Sequence, residues 1–194
     1  MWQEHLDQAI EGQAKSLIQL RRHLHSHPEI SGQEFQTTSY LSDLLREIGC
    51  DCRVPTAKRG IVAQLGDAGV PRIALRADLD ALQIQDVKDV AYRSRNDGVM
   101  HACGHDAHCA ILVGALQGLQ RLSQAGELPW PISVCGIFQP AEETATGAKE
   151  MVHFGALNGV DAILGVHVDP KRKLGAIGLR NGVSTANCDE IRVH

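Results

Sequence analysis

No stretch of the 194-residue sequence approaches the length of a membrane span. Its start, MWQEHLDQAIEGQAKS, carries neither the basic n-region nor the continuous apolar h-region of a secretory signal, so the expected compartment is the cytoplasm. No basic run exceeds KRK at 171–173 and the net charge is −4, which leaves no footprint for nucleic acid. Without a C-x-x-C motif, a thiol redox role for Cys50 and Cys52 has little behind it. The six cysteines (Cys50, Cys52, Cys103, Cys109, Cys135, Cys188) are scattered over a domain-sized chain, which suits free thiols or one thiolate on a metal better than a disulfide framework. Internal repeats and low-complexity linkers are absent too, excluding solenoids and tethered modules.

With 22% charged and 43% apolar residues, the chain reads as a globular protein large enough for one main core. Leu6, Ile10, Leu17, Leu20 and Leu24 share a helical face, predicting a first helix up to about residue 26, stopped by Pro28. Ser31 with Glu34 reads as a capping box opening a second helix, with Phe35, Leu41, Leu44, Leu45 and Ile48 on its face and Gly49 as its stop. GIVAQL and RIALRA, separated by GDAGVP, predict a hairpin or adjacent strands. Helical spacing resumes after His105 and ends near Gly126. ISVCGIF (132–138) and DAILGVHV (161–168) predict buried strands, with a short helix over GAKEMVHFGAL (147–157) between them. Helices alternating with apolar strands give an α/β layered sheet.

The densest chemistry lies in HACGHDAH (101–108). Cys103 and His105, at i and i+2, converge on one ion only from an irregular turn. The other reading is a helix N-terminus capped by Asp106 or a histidine. In FQPAEE, Glu142 and Glu143 follow a strand; on an extended backbone their side chains point apart, so one could ligate while the other handles water. His167 also follows an apolar strand, as do Asp78 and Asp80, for which helix capping or a bond to Arg76 is the plainer role. Strand ends are where α/β sheets assemble sites, and a mixed Cys/His/Glu set suits zinc or a neighbouring metal. RRHLHSHPE (21–29) lies at a helix end, where its basic groups meet the last carbonyls. His153 falls inside a helical pattern and reads as packing or surface.

In their order, LRRHLHSHPEISGQE, LRADLDAL, MHACGHDAH, FQPAEE, GAKEMVHFGAL and LGVHVDP resemble the amidohydrolase branch of the aminoacylase and carboxypeptidase metallohydrolases, from about residue 16 onward. The resemblance implies a zinc-peptidase-like catalytic domain with a mixed sheet flanked by helices, incomplete at its C-terminus. It further implies two divalent metal ions (zinc, manganese, cobalt or nickel) with Cys103 bridging them and His105, Glu143 and His167 as further ligands. Glu142 would be the general base that takes a proton from water and returns it to the leaving amine. Asp80 matches an acidic residue that supports a ligand histidine, whereas Asp78 stands where the family has that histidine, and Gln83 replaces a usual proline. The implied substrate is an N-acyl amino acid or a short peptide-like conjugate. Residues 1–183 correspond to the N-terminal part of the catalytic domain and 184–194 to the start of a lid and dimerisation domain. The rest of that lid and a last ligand histidine are not in this sequence, and His194 is no ready substitute. Unpaired edges would then invite self-association. A fragment completed by a partner segment is the alternative to a self-sufficient enzyme.

Overall fold

The computed structural model of the protein describes residues 1–179 and 181–182. Four helices, α1 (Trp2–Glu11), α2 (Ala14–Ser26), α3 (Phe35–Ile48) and α4 (His105–Ala125), are joined by a short α5 (Gly147–His153). Five strands, β1 (Asp51–Arg53), β2 (Ile61–Gly66), β3 (Arg72–Asp78), β4 (Ser133–Gln139) and β5 (Ala162–Gly165), form one sheet in the order β1-β2-β4-β3-β5. β2 runs antiparallel to both β1 and β4, while β3 runs parallel to β4 and β5. The expected mixed α/β class is the one observed.

Strand alternation divides the core. Ile61, Ala63, Leu65 and Phe138 pack with Leu41 and Leu45 of α3 and Leu112, Val113 and Leu116 of α4. On the other face, Val62, Ala74, Cys135 and Ile137 meet Met151 of α5 and Ala156. Side chains that alternate sides along a strand therefore supply two layers, and β4, covered on both, is buried at all seven positions.

Four sequence expectations change. The single helix expected up to residue 26 is broken at Gly12 and Gln13, because the buried Gln13 side chain donates to the Gly114 carbonyl at 3.1 Å. The capping box at Ser31 does not form: Glu29 accepts the Gln36 and Thr37 N–H groups, freeing Ser31 and Glu34 for contacts elsewhere. GIVAQL and RIALRA are not a hairpin or neighbours, since the more thoroughly buried β4 inserts between them. β5 is exposed at all four positions, because it lies at the sheet edge, past the cover of α4 and α5. The α4 expectation stands as stated, ended by Gly126 in the left-handed region. Segment 184–194, with His194 and Cys188, lies outside the described residues.

Candidate metal centre

The parallel strands β3, β4 and β5 all end at one edge of the sheet, so Asp78, Gln139 and the chain after Gly165 emerge together. Helix α4 begins beside them, its N-cap Gly104 at φ +95, a left-handed conformation that sets Cys103 and His105 on an irregular turn. Glycine is also required there by space, because a Cβ would overlap the Val168 side chain.

His105 is the hub. It is 1% exposed, and its Nδ1 donates to the Asp80 carbonyl at 2.8 Å, which directs Nε2 into the cluster. Nε2 has no hydrogen-bond partner; it lies 3.6 Å from Asp78 Oδ2, 3.8 Å from Glu143 Oε1 and 3.9 Å from Glu142 Oε2. Cys103 Sγ sits 3.3 Å from His167 Nε2. Three overlapping trios, Cys103–His105–His167, Asp78–His105–His108 and His105–Glu142–Glu143, each bring their donor atoms within 4.8 Å of one another. A buried nitrogen left unpaired among thiol, imidazole and carboxylate donors is what a soft-to-borderline cation satisfies, so these residues fit a metal.

Electrostatics agree. Burial opposes charge on His105, but Asp80 and Asp78 outweigh it and hold its pKa above the ordinary imidazole value. Burial and the Glu143, Glu142 and Asp78 carboxylates push the Cys103 thiol up to about 12. Asp80 is depressed to about 2 despite burial, by His105, the Ser31 hydroxyl and the N–H groups of Glu143 and Glu142. Such a pocket is short of positive charge.

The Glu142–Glu143 segment is a turn rather than the extended backbone expected, so both carboxylates approach the same nitrogen instead of diverging. Its shape is held from outside. Ala141, at φ +48, gives its N–H to buried Glu34 at 2.7 Å, and Glu143 gives its N–H to Asp80 at 3.0 Å. Ser31 donates to the same Asp80 oxygen at 2.6 Å. Gly147 closes the turn, with the Pro140 carbonyl where a Cβ would stand.

Other candidates resolve differently. Asp78 does bind Arg76, at 2.7 Å, and also meets His108 at 2.7 Å. Asp106 caps nothing; it bonds Arg21 at 2.7 Å and His25 at 2.8 Å, so His25 of the RRHLHSHPE stretch is buried in an ionic cluster rather than spent on helix carbonyls. The supports Glu34 and His108 escaped sequence reasoning. For His108 a signal existed, three residues after His105 on the same helix face; Glu34 carried a false signal, its spacing from Ser31.

Residues 74–192 match the model of Peptidase family M20/M25/M40, and the chain belongs to that family. N-acetyl-L-cysteine deacetylase of Bacillus subtilis is 42% identical over 180 residues, 92% of this chain and 42% of the relative. A Bacillus subtilis crystal structure, described as a dinuclear metal binding peptidase from the M20 family, is similar at TM-score 0.76 and 42% identity, over 83% of this chain and 44% of that one. A putative aminohydrolase from methicillin-resistant Staphylococcus aureus gives TM-score 0.79 at 37% identity, over 88% and 45%. The chain thus spans less than half the length of these relatives.

Proposed function

We propose that the chain carries the metal-binding part of a hydrolase that cleaves the amide bond of an N-acyl amino acid, or of a small peptide-like conjugate, to a carboxylate and an amino acid. The observation behind this reading is His105 Nε2, a buried unpaired nitrogen ringed by thiol and carboxylate donors. The names of the deacetylase and aminohydrolase relatives support the substrate class. Cys103, His105, Glu143 and His167 are the residues that hold two divalent ions of the zinc, manganese, cobalt or nickel kind. Bound divalent ions supply Lewis acidity and more acidic water.

Glu142 is the proton carrier. Its side chain is 39% exposed, within reach of solvent, yet close to His105. Burial, with the Asp78 and Glu143 charges, raises its pKa towards the range where one carboxylate can both accept a proton from water and return it to a departing amine. Asp80 orients His105 and, through the Glu143 N–H, the adjoining turn.

Elemental analysis of purified, size-sorted protein tests the metal reading, with Cys103→Ala as control. Two metals per chain, lost in the variant, support it; none in either overturns it. Turnover of an N-acetyl amino acid, abolished by chelator and by Glu142→Gln, supports the reaction, whereas full activity of Glu142→Gln overturns the assigned carrier. A second reading, in which these residues act only with a further polypeptide segment, draws on the exposed strand β5. It expects activity to appear only when that segment is added.

A further inference from the structure

We propose that His108 is a positioning residue that latches the segment bearing His167 onto the metal centre through the Val168 N–H; this rests on the reading of His167 as a ligand. Hydrogen-bond roles fix how. Val168 N–H can only donate, and it lies 3.0 Å from His108 Nε2, so that nitrogen accepts. The proton of the ring is then on Nδ1, donated to Asp78 Oδ1 at 2.7 Å. With both nitrogens engaged, His108 is not a free donor despite lying in one of the three trios around His105.

The latch is anchored at both ends. Asp78 is held on its other oxygen by Arg76 Nη1 at 2.7 Å, and Arg76 in turn donates to Gln139 Oε1 from Nε and Nη2 at 3.1 and 3.0 Å. The chain of contacts therefore runs from the ends of β4 and β3, through α4, to the segment after β5. On the far side, Val168 fits against Gly104, whose missing Cβ leaves it room. His167 Nδ1 donates to the Val168 carbonyl at 2.8 Å, which leaves Nε2 to face Cys103 Sγ at 3.3 Å.

Among the described residues this segment has few other ties: the His167 ring meets the His108 ring edge-on, with centroids 4.6 Å apart, and β5 before it is paired with β3 alone. β5 is exposed along its length, and among the described residues His108 and Cys103 are the only side chains outside Val166–Val168 that hydrogen-bond it. Ligands presented from such a segment need a partner that fixes their direction, and removing one of these partners typically weakens metal binding about 10–100-fold.

Cobalt(II) titration of the full 194-residue chain tests the latch, read by the near-ultraviolet thiolate-to-cobalt band of Cys103. His108→Asn keeps the reach to Asp78 and loses the acceptor for Val168; His108→Gln reaches Val168. We expect His108→Asn to weaken cobalt binding about 10–100-fold and His108→Gln to stay within a few-fold of wild type. In a His167→Ala background, His108→Asn should cost nothing further, a coupling that a merely structural role would not produce. If His167→Ala weakens binding while His108→Asn leaves it unchanged, or if the two losses add, the latch is overturned and His167 remains a ligand. If His167→Ala has no effect, the ligand reading falls and the latch with it. Should His108→Asn fail to fold, Val168→Pro deletes the same bond from the other side; a tenfold loss supports the latch and unchanged affinity overturns it.

Discussion

A glutamate with no exposed surface governs the turn that carries Glu142. Glu34 accepts the N–H groups of Ala141 and Gly32 on a single carboxylate oxygen, Oε1, at 2.7 and 3.0 Å. Glu34→Leu should therefore lower stability by about 2 kcal/mol in urea unfolding, since the buried Ala141 N–H and the part-buried Gly32 N–H lose their acceptor. A smaller loss, under about 0.5 kcal/mol, would mean that water replaces it. At the centre itself, the raised Cys103 and His105 values have one sign: each group holds its proton more tightly than usual, so protons compete with metal for the thiolate and for the imidazole nitrogen. Metal uptake should release at least one proton per chain and weaken as pH falls, measurable with an indicator dye in dilute buffer; uptake independent of pH would contradict it. Residue types and order were legible, because Cys103, His105, Glu142, Glu143 and His167 announce themselves chemically and the fold brings them together. Their supports were not legible, because an acceptor such as Glu34 is defined by a backbone 107 residues away.

Among the elements, α4 was the easiest to read and the sheet order the hardest. A helix records its own buried face in a repeat of 3.6, and Gly126 marks its end. Strand neighbours leave no such record: β2 and β3 follow one another in the chain, yet β4 separates them because it alone is covered on both faces along its whole length. The same blindness applies to the turn between β4 and α5. Gly147→Ala places a methyl against the Pro140 carbonyl and must move the Glu142 turn. We expect a loss of about 1–3 kcal/mol together with weaker metal binding, whereas an exposed control such as Gly69→Ala leaves metal binding unchanged. Equal metal affinity in the two variants would detach the turn from the centre.

For the molecule as a whole, acid is the revealing stress. Asp86 is fully buried, which alone would raise its pKa, but the Ser94 and Lys88 N–H groups and the Lys88 ammonium hold it well below the carboxylate range. A carboxyl depressed on folding contributes stability that is present above its unfolded pKa, about 4, and is lost as pH falls below it. Asp78, Asp80 and Asp106 have the same sign, so the urea midpoint should drop steeply between about pH 4 and pH 2. Asp86→Asn should flatten that slope while costing stability at pH 7; an unchanged slope would remove Asp86 from the account.

Parallel β3 and β4 begin together at Arg72 and Ser133, opposite the end that bears the donors. The link at 67–71 therefore projects from the remote end, about 20 Å away along a seven-residue strand. Gly69 there has open space around it. A purification tag or a fluorescent reporter spliced into this link would travel with the protein yet stay out of reach of Cys103, giving a handle by which binding at one end of the sheet can be followed from the other.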